Sequence, residues 1–163
     1  MKNYILTQEV AENKLRRMAY EILENNFEEE HLILAGIRES GSVIARNIQH
    51  LLVTIGNLST QLITISLDKK APRKVELSEQ INFDDKVIIL IDDVSNSGKT
   101  FLYAIKPFLD FQPKKIQTLV LVERSHKAFP VQPDYVGLSI ATTLQEHIYV
   151  EVEGELVKGA YLQ

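Results

Sequence analysis

There is no cysteine among the 163 residues. That absence excludes disulfides, thiolate zinc sites, iron–sulfur clusters and cysteine nucleophiles, and it suits a reducing compartment. Nor does any apolar stretch approach the roughly 18 residues of a membrane-spanning helix. Met1-Lys2-Asn3-Tyr4 leads into no signal-peptide pattern, so the expectation is a cytoplasmic protein with no membrane partner. Neither sign of charge dominates: 18 Lys and Arg oppose 22 Asp and Glu, a formal net charge of −4. Coating nucleic acid non-specifically needs a basic excess, and no arginine-rich helix or aromatic platform supplies one locally. RNA is therefore a disfavoured partner. Repeats, low-complexity tracts and linkers are missing too, and the length fits a single domain over residues 1–163.

The charge is unevenly spread. Residues 1–30 hold seven acids against four bases, whereas the rest is almost neutral, with Lys69, Lys70, Arg73 and Lys74 clustered. A near-neutral body leaves room for a local anion site and points to a small partner.

Hydrophobic spacing supplies the elements. Leu15, Met18, Ala19, Ile22 and Leu23 recur at helical intervals between Gln8 and Asn26. Leu32-Ile33-Leu34-Ala35, ending at Gly36, reads as a buried strand. A second helix is expected from about Ser42 to Leu52, and a strand over Leu62 to Leu67. Residues 68–74 are polar, basic and broken by Pro72, hence an exposed loop. Val87-Ile88-Ile89-Leu90-Ile91 is five consecutive branched aliphatics, the pattern of a strand covered on both faces in a parallel sheet. Phe101, Leu102, Ile105, Phe108 and Leu109 mark a helix that Pro107 must kink or end. Ile116 to Val122 is the next central strand, and His147 to Val152 alternates like a less buried edge. The alternation of strands and helices predicts an α/β fold with a mainly parallel central sheet flanked by helices.

In such sheets, ligands collect at the carboxyl ends of the strands. The most apolar strand runs into Asp92-Asp93-Val94-Ser95-Asn96-Ser97-Gly98-Lys99-Thr100, where a helix starts. Two carboxylates at the exit of a buried strand repel, and need water, hydroxyl donors or a cation nearby. The small residues after them allow a tight turn whose amides, with the hydroxyls of Ser95, Ser97 and Thr100, form a phosphate cradle. A P-loop requires glycine five residues before the Gly-Lys pair, and Asp93 stands there, so that motif is excluded. A receiver domain also sets paired acids on a sheet, but has no need of the Ser-Gly-Lys-Thr cradle. Acids beside a phosphate turn suit a ligand with vicinal hydroxyls next to a phosphate, such as ribose 5-phosphate.

VIILIDDVSNSGKT resembles the phosphoribosyl diphosphate signature of type I phosphoribosyltransferases. Within that superfamily the chain is most similar to the bifunctional pyrimidine operon regulator/uracil phosphoribosyltransferases. The likeness runs nearly end to end, through Leu34-Ala35-Gly36-Ile37, Leu121 to Lys127, and Pro130 through Pro133-Asp134-Tyr135-Val136-Gly137. Pro-Asp-Tyr-Val-Gly also resembles hypoxanthine phosphoribosyltransferases, which leaves the base open, with uracil the leading acceptor.

The resemblance implies a type I phosphoribosyltransferase fold with a small base-binding hood, and a homo-oligomer. It implies transfer of phosphoribosyl from 5-phosphoribosyl 1-diphosphate to a nucleobase, giving a nucleoside monophosphate and diphosphate. Asp92 and Asp93 would hold the ribose hydroxyls, and Val94, Ser95, Asn96, Ser97, Gly98, Lys99 and Thr100 the 5′-phosphate. Magnesium would be the cofactor, held mainly by substrate and water with no direct protein ligand. The diphosphate loop would be Ile37, Arg38, Glu39, Ser40 and Gly41. The pyrimidine regulators usually place Lys-Thr-Arg before the final glycine; here Glu39 adds a negative charge and Ser40 replaces an arginine. One misplaced charge at ~4 Å opposes anion binding by a few kcal/mol, so Glu39 weakens diphosphate handling unless it points away. Lys69, Lys70, Arg73 and Lys74 fall in the lid position, in a lid that lacks the Tyr-Arg pair of the regulators; a solvated loop is the plainer reading of these lysines. Glu123, Arg124, His126, Ile148 and Tyr149 would surround the base, with Tyr149 either stacking on it or serving as an ordinary strand aromatic. His31, His50 and His147 show no metal-ligand spacing. The altered loop and lid also fit an alternative: a phosphoribosyltransferase-like regulatory module that binds nucleotide or RNA with little catalysis.

Overall fold

A computed structural model describes residues 1–143 and 145–163. The apolar runs become the middle of a six-stranded sheet. Its strands are β2 (His31–Ile37), β3 (Ser59–Ser66), β4 (Glu76–Leu77), β5 (Val87–Ser95), β6 (Lys115–Arg124) and β7 (Tyr135–Ile140), in the order β4-β3-β2-β5-β6-β7. All neighbours pair in parallel except the short β4, which lies antiparallel on β3. The most apolar strand, β5, is central, as two-sided burial demands.

Alternate residues of these strands feed two cores. Leu34, Ile89, Ile91, Leu119 and Leu121 face helices α1 (Gln8–Asn25) and α2 (Ser40–Ile55). Ile33, Ile63, Ile65, Ile88, Leu90 and Val120 face the other side, covered by Phe101, Ala104 and Phe108. Helix α1 begins where Thr7 accepts a hydrogen bond from the Val10 amide at 3.3 Å, a side-chain cap on an orphan donor. It buries Leu15, Met18, Ala19 and Ile22 of the stripe read from spacing, together with Ala11, while Leu23 is partly buried. Helix α3 (Lys99–Ala104) is only six residues, because Pro107 tightens the succeeding segment, Lys106–Asp110, into a 3₁₀ turn.

The alternating strand β8 (Ile148–Glu153) is an edge, but of a second sheet. It pairs antiparallel with β9 (Leu156–Leu162), which pairs antiparallel with β1 (Asn3–Leu6). The inner face of this small sheet, Leu6, Ile148, Val157 and Ala160, joins the α1/α2 core. It forms the hood beside the carboxyl ends of the central strands. Among the described residues no helix is long and apolar enough to cross a membrane.

Candidate functional site

Because β2, β5 and β6 are parallel, their carboxyl ends share one edge, and the site gathers there. Strand β5 delivers Asp92 and Asp93. Asp92 is 1% exposed, whereas Asp93 is partly open. Glycine at 41 lets α2 lie against them: a Cβ there would stand 2.9 Å from the Ile91 carbonyl and 3.1 Å from Asp92 Oδ1. The pair is set by its own backbone. Asp92 Oδ1 accepts from the Asp93 amide at 2.9 Å, and Asp93 Oδ1 from the Val94 amide at 2.8 Å.

Burial, then the neighbouring charge of Asp93, pushes the Asp92 carboxyl well above the usual carboxylate range, against the pull of Lys69. Lys69 Nζ lies 3.2 Å from both Asp92 oxygens and 3.7 Å from Asp93 Oδ1. Burial draws the ammonium's pKa down, but the two carboxylates more than offset it, and the net direction is up.

The turn after the acids closes on Gly98, whose φ of 87° places it in the left-handed region that glycine favours. Ser97 anchors this turn twice. Its carbonyl accepts from the Ala128 and Phe129 amides at 3.0 Å, and its hydroxyl from the Lys99 amide at 3.3 Å. Ser95 Oγ is buried and has no hydrogen-bond partner among the described residues, an orphan hydroxyl where the strand enters the turn.

A cavity of about 410 Å³ is lined by Ser40, Lys69, the run Asp92–Phe101 and strand residues Ile148–Val150. A second, of about 500 Å³, shares Asn96 and Ser97 with it and adds Arg124, His126, Lys127, Ala128 and His147. The two cavities meet at the turn. Arg124 braces the second: it donates to Asn96 Oδ1 at 3.4 Å, to the Thr143 and Glu146 carbonyls at 2.6 and 2.7 Å, and to Thr142 Oγ1. That guanidinium ties the turn after the acids to the segment entering β8.

The expected residues are therefore distributed unevenly. Asp92, Asp93, Val94 to Thr100, Ser40, Lys69, Ile148 and Tyr149 meet in the first cavity, and Arg124 and His126 in the second. Glu123 is buried, paired to Lys127 at 2.5 Å, and lines neither cavity. Arg38 and Glu39 are exposed, Ile37 and Gly41 are buried, and none of the four lines either cavity. Lys70, Arg73 and Lys74 stay outside both as well, with Lys74 paired to Glu76 at 2.8 Å. Lys69 alone leaves the solvated loop and enters the site. The Tyr149 ring stacks on Tyr161, centroids 5.3 Å apart, and Tyr4 adjoins Tyr161 at 5.6 Å, a row across the hood. His147 and Lys127 belong to the second cavity, although sequence reasoning gives neither a role at the base. The signal for Lys127 is an opposite charge four residues after Glu123 at a strand's end; His147 has none beyond its place before an alternating strand.

The oxygen-rich first cavity, two carboxylates beside hydroxyls, suits a hard divalent cation held largely through substrate oxygens and water. Among the described residues, no three His, Asp or Glu converge as a metal cage.

Residues 3–153 match the family model described as Phosphoribosyl transferase domain. The chain is 37% identical to Bifunctional protein PyrR of Streptococcus thermophilus, over 94% of both chains. It is 31% identical to Bifunctional protein PyrR of Haemophilus ducreyi, over 94% of this chain and 91% of that one. Among solved structures, a hypoxanthine-guanine phosphoribosyltransferase from Bacillus anthracis superposes with a TM-score of 0.74 at 21% identity, covering 91% of this chain and 85% of that one. The hypoxanthine phosphoribosyltransferase of Trypanosoma cruzi gives 0.76 at 15% identity, covering 85% and 82%. These two likenesses are of fold.

Proposed function

The chain belongs to the phosphoribosyl transferase family, and on that premise we propose that it transfers phosphoribosyl from 5-phosphoribosyl 1-diphosphate to uracil. It is a phosphoribosyltransferase, a glycosyltransferase by reaction class. The observation that carries the residue roles is the junction of the two cavities. An acid pair and a phosphate-sized turn line one, and a chamber sharing Asn96 and Ser97 opens beside them.

In this reading Asp92 and Asp93 accept hydrogen bonds from the ribose 2- and 3-hydroxyls, while the turn Val94–Thr100 takes the 5′-phosphate and Ser95 Oγ gains a partner. The bond from the anomeric carbon to diphosphate oxygen breaks, its electron pair leaving with diphosphate. A ring nitrogen of the base supplies the new pair, and its proton passes to the departing diphosphate. Positive charge builds on the ribose as that bond stretches, and the fixed carboxylates below it favour that charge over the neutral ground state. The chain supplies positioning and electrostatics, with no protein nucleophile. Magnesium, when bound with the substrate, neutralises the diphosphate as it departs. Asp92 and Asp93 would hold it through water and substrate oxygens.

Uracil is favoured over purines because the sequence relatives at 31% and 37% identity are pyrimidine-regulator proteins, whereas the purine enzymes share the fold at 21% and 15%. Uracil offers two carbonyl acceptors, and His126 and His147, side chains able to donate from a ring nitrogen, line the second cavity.

The test is base-dependent release of diphosphate from 5-phosphoribosyl 1-diphosphate, with magnesium, across a panel of bases. Release with uracil is the expected result. Release with hypoxanthine or guanine alone overturns the base, and none with any base overturns the enzyme reading in favour of a binding module.

A further inference from the structure

A third cavity, of about 420 Å³, shares no residue with the two at the candidate site. It lies between α2 and the turn joining β8 to β9, and is lined by Arg46, Asn47, Gln49, His50, Val53 and Glu155. Helical spacing puts Arg46 and His50 on one face, a turn apart. The amides beside them are engaged in the walls. Asn47 Nδ2 donates to the Glu155 carbonyl at 2.9 Å, which pins the turn to the helix, and Gln49 Nε2 donates to Thr60 Oγ1 at 3.1 Å. Arg46 is different. Its Nε is buried and has no hydrogen-bond partner among the described residues, a costly state for an N–H group. Glu155 Oε1 stands 3.5 Å from it, longer than N–H···O bonds normally run. The Glu155 side chain is 80% exposed, so its carboxylate is free to turn away into water. It presents the kind of group a guanidinium takes without supplying the hydrogen bond.

We propose that Arg46 and His50 form a second ligand site, separate from the phosphoribosyl site, for a small molecule bearing a doubly charged oxyanion group, a phosphate monoester or a dicarboxylate. The planar guanidinium takes two oxygens of such a group side by side, and the His50 ring donates to a further oxygen. Glu155 swings out as the ligand enters. Val53, 62% exposed, offers the ligand's carbon skeleton an apolar contact. The site reaches from α2 to the hood, and both of these line the acid cavity, through Ser40 and through Ile148–Val150. An occupant therefore bridges two walls of that cavity from behind.

The chain's four histidines provide the readout. His50 stands in this cavity, whereas His126 and His147 line the chamber at the candidate functional site, so their imidazole NMR signals, assigned with His→Gln variants, separate the two places. Inorganic phosphate and succinate are titrated separately, at constant pH and with chloride holding the ionic strength. A saturable shift of the His50 signal is expected with at least one of them, and the one that moves it identifies the oxyanion. Arg46→Met should weaken that binding at least tenfold, with Arg46→Lys intermediate. Glu155→Gln, which removes the tethered competitor, should tighten it about threefold, the scale of an exposed ion pair. If Arg46→Met fails to fold, Arg46→Lys and Glu155→Gln still carry the comparison. No saturable His50 shift with either anion overturns the site, and so does a shift that the Arg46 variants leave unchanged. A response of His126 and His147 alone places the anion at the phosphoribosyl site only, which overturns this second site and leaves the first reading standing.

Discussion

Asp92 is held in a place that favours its neutral form. Burial, reinforced by Asp93, raises its pKa in the folded chain above the unfolded value near 3.8. Its contribution to stability is therefore full below about 3.8 and is lost as pH rises through the raised value. At neutral pH this upward shift weighs against the fold, and Lys69 offsets only part of that. Asp92→Asn should therefore raise stability at pH 7 by roughly 0.5–2 kcal/mol, a gain that shrinks toward pH 4, while ribose 5-phosphate binding falls. Thermal unfolding at the two pH values, with a binding titration, reads both; an unchanged or lower melting point at pH 7 contradicts it. Glu39 offers the second residue-scale case. Its φ of 47° and ψ of −94° lie outside the ordinary regions for a side-chain-bearing residue, a strain of about 1–3 kcal/mol. Glu39→Gly should stabilise the chain in denaturant melts and tighten binding of 5-phosphoribosyl 1-diphosphate. Tighter folding without tighter binding would place Glu39 beyond the reach of the diphosphate.

Elements hold the acids through close approaches. Gly41→Ala drives a Cβ to 2.9 Å from backbone in β5, so α2 must shift off the strand at a cost of about 1–3 kcal/mol, and ribose binding falls with it. A melt and a titration of one variant check both effects. Arg124 links the turn after the acids to the segment before β8, and Arg124→Gln should loosen the hood. The KM for the base should rise about tenfold while that for the diphosphate substrate stays within twofold, with Arg124→Lys intermediate. Equal changes in both would mean a general loss of structure.

How far these links are legible in the sequence depends on range. The run Val87–Ile91 and the string Asp92–Thr100 carry local signals, unbroken branched aliphatics and then acids with small residues; the first becomes a fully buried central strand, and the second the end of that strand and the turn into α3. Helix α1 is readable because its stripe and its cap are local. The hood cannot be read as a separate sheet from spacing, because β1 has four residues and β9 contains Gly159 at a φ of 143°, and their pairing joins opposite ends of the sequence. Lys69 is legible only as one of four lid bases; its capture by Asp92 is a contact across 23 residues.

At the scale of the whole molecule, the net charge of −4 disfavours a broad basic face, and of the four clustered bases Lys69 is paired with Asp92 and Lys74 with Glu76. A filter-binding titration with single-stranded RNA should therefore show weak binding with a shallow dependence on salt; a steep slope would reveal several phosphate contacts and reinstate RNA as a partner. The chain also contains no tryptophan and six tyrosines, and three of those six, Tyr4, Tyr161 and Tyr149, form the row across the hood. Tyr149 sits at the edge of the cavity that holds the acids. The protein thus carries its own optical gauge: half of its tyrosines ride on the small sheet that lines the site, so ligand occupancy can be followed by light without a label.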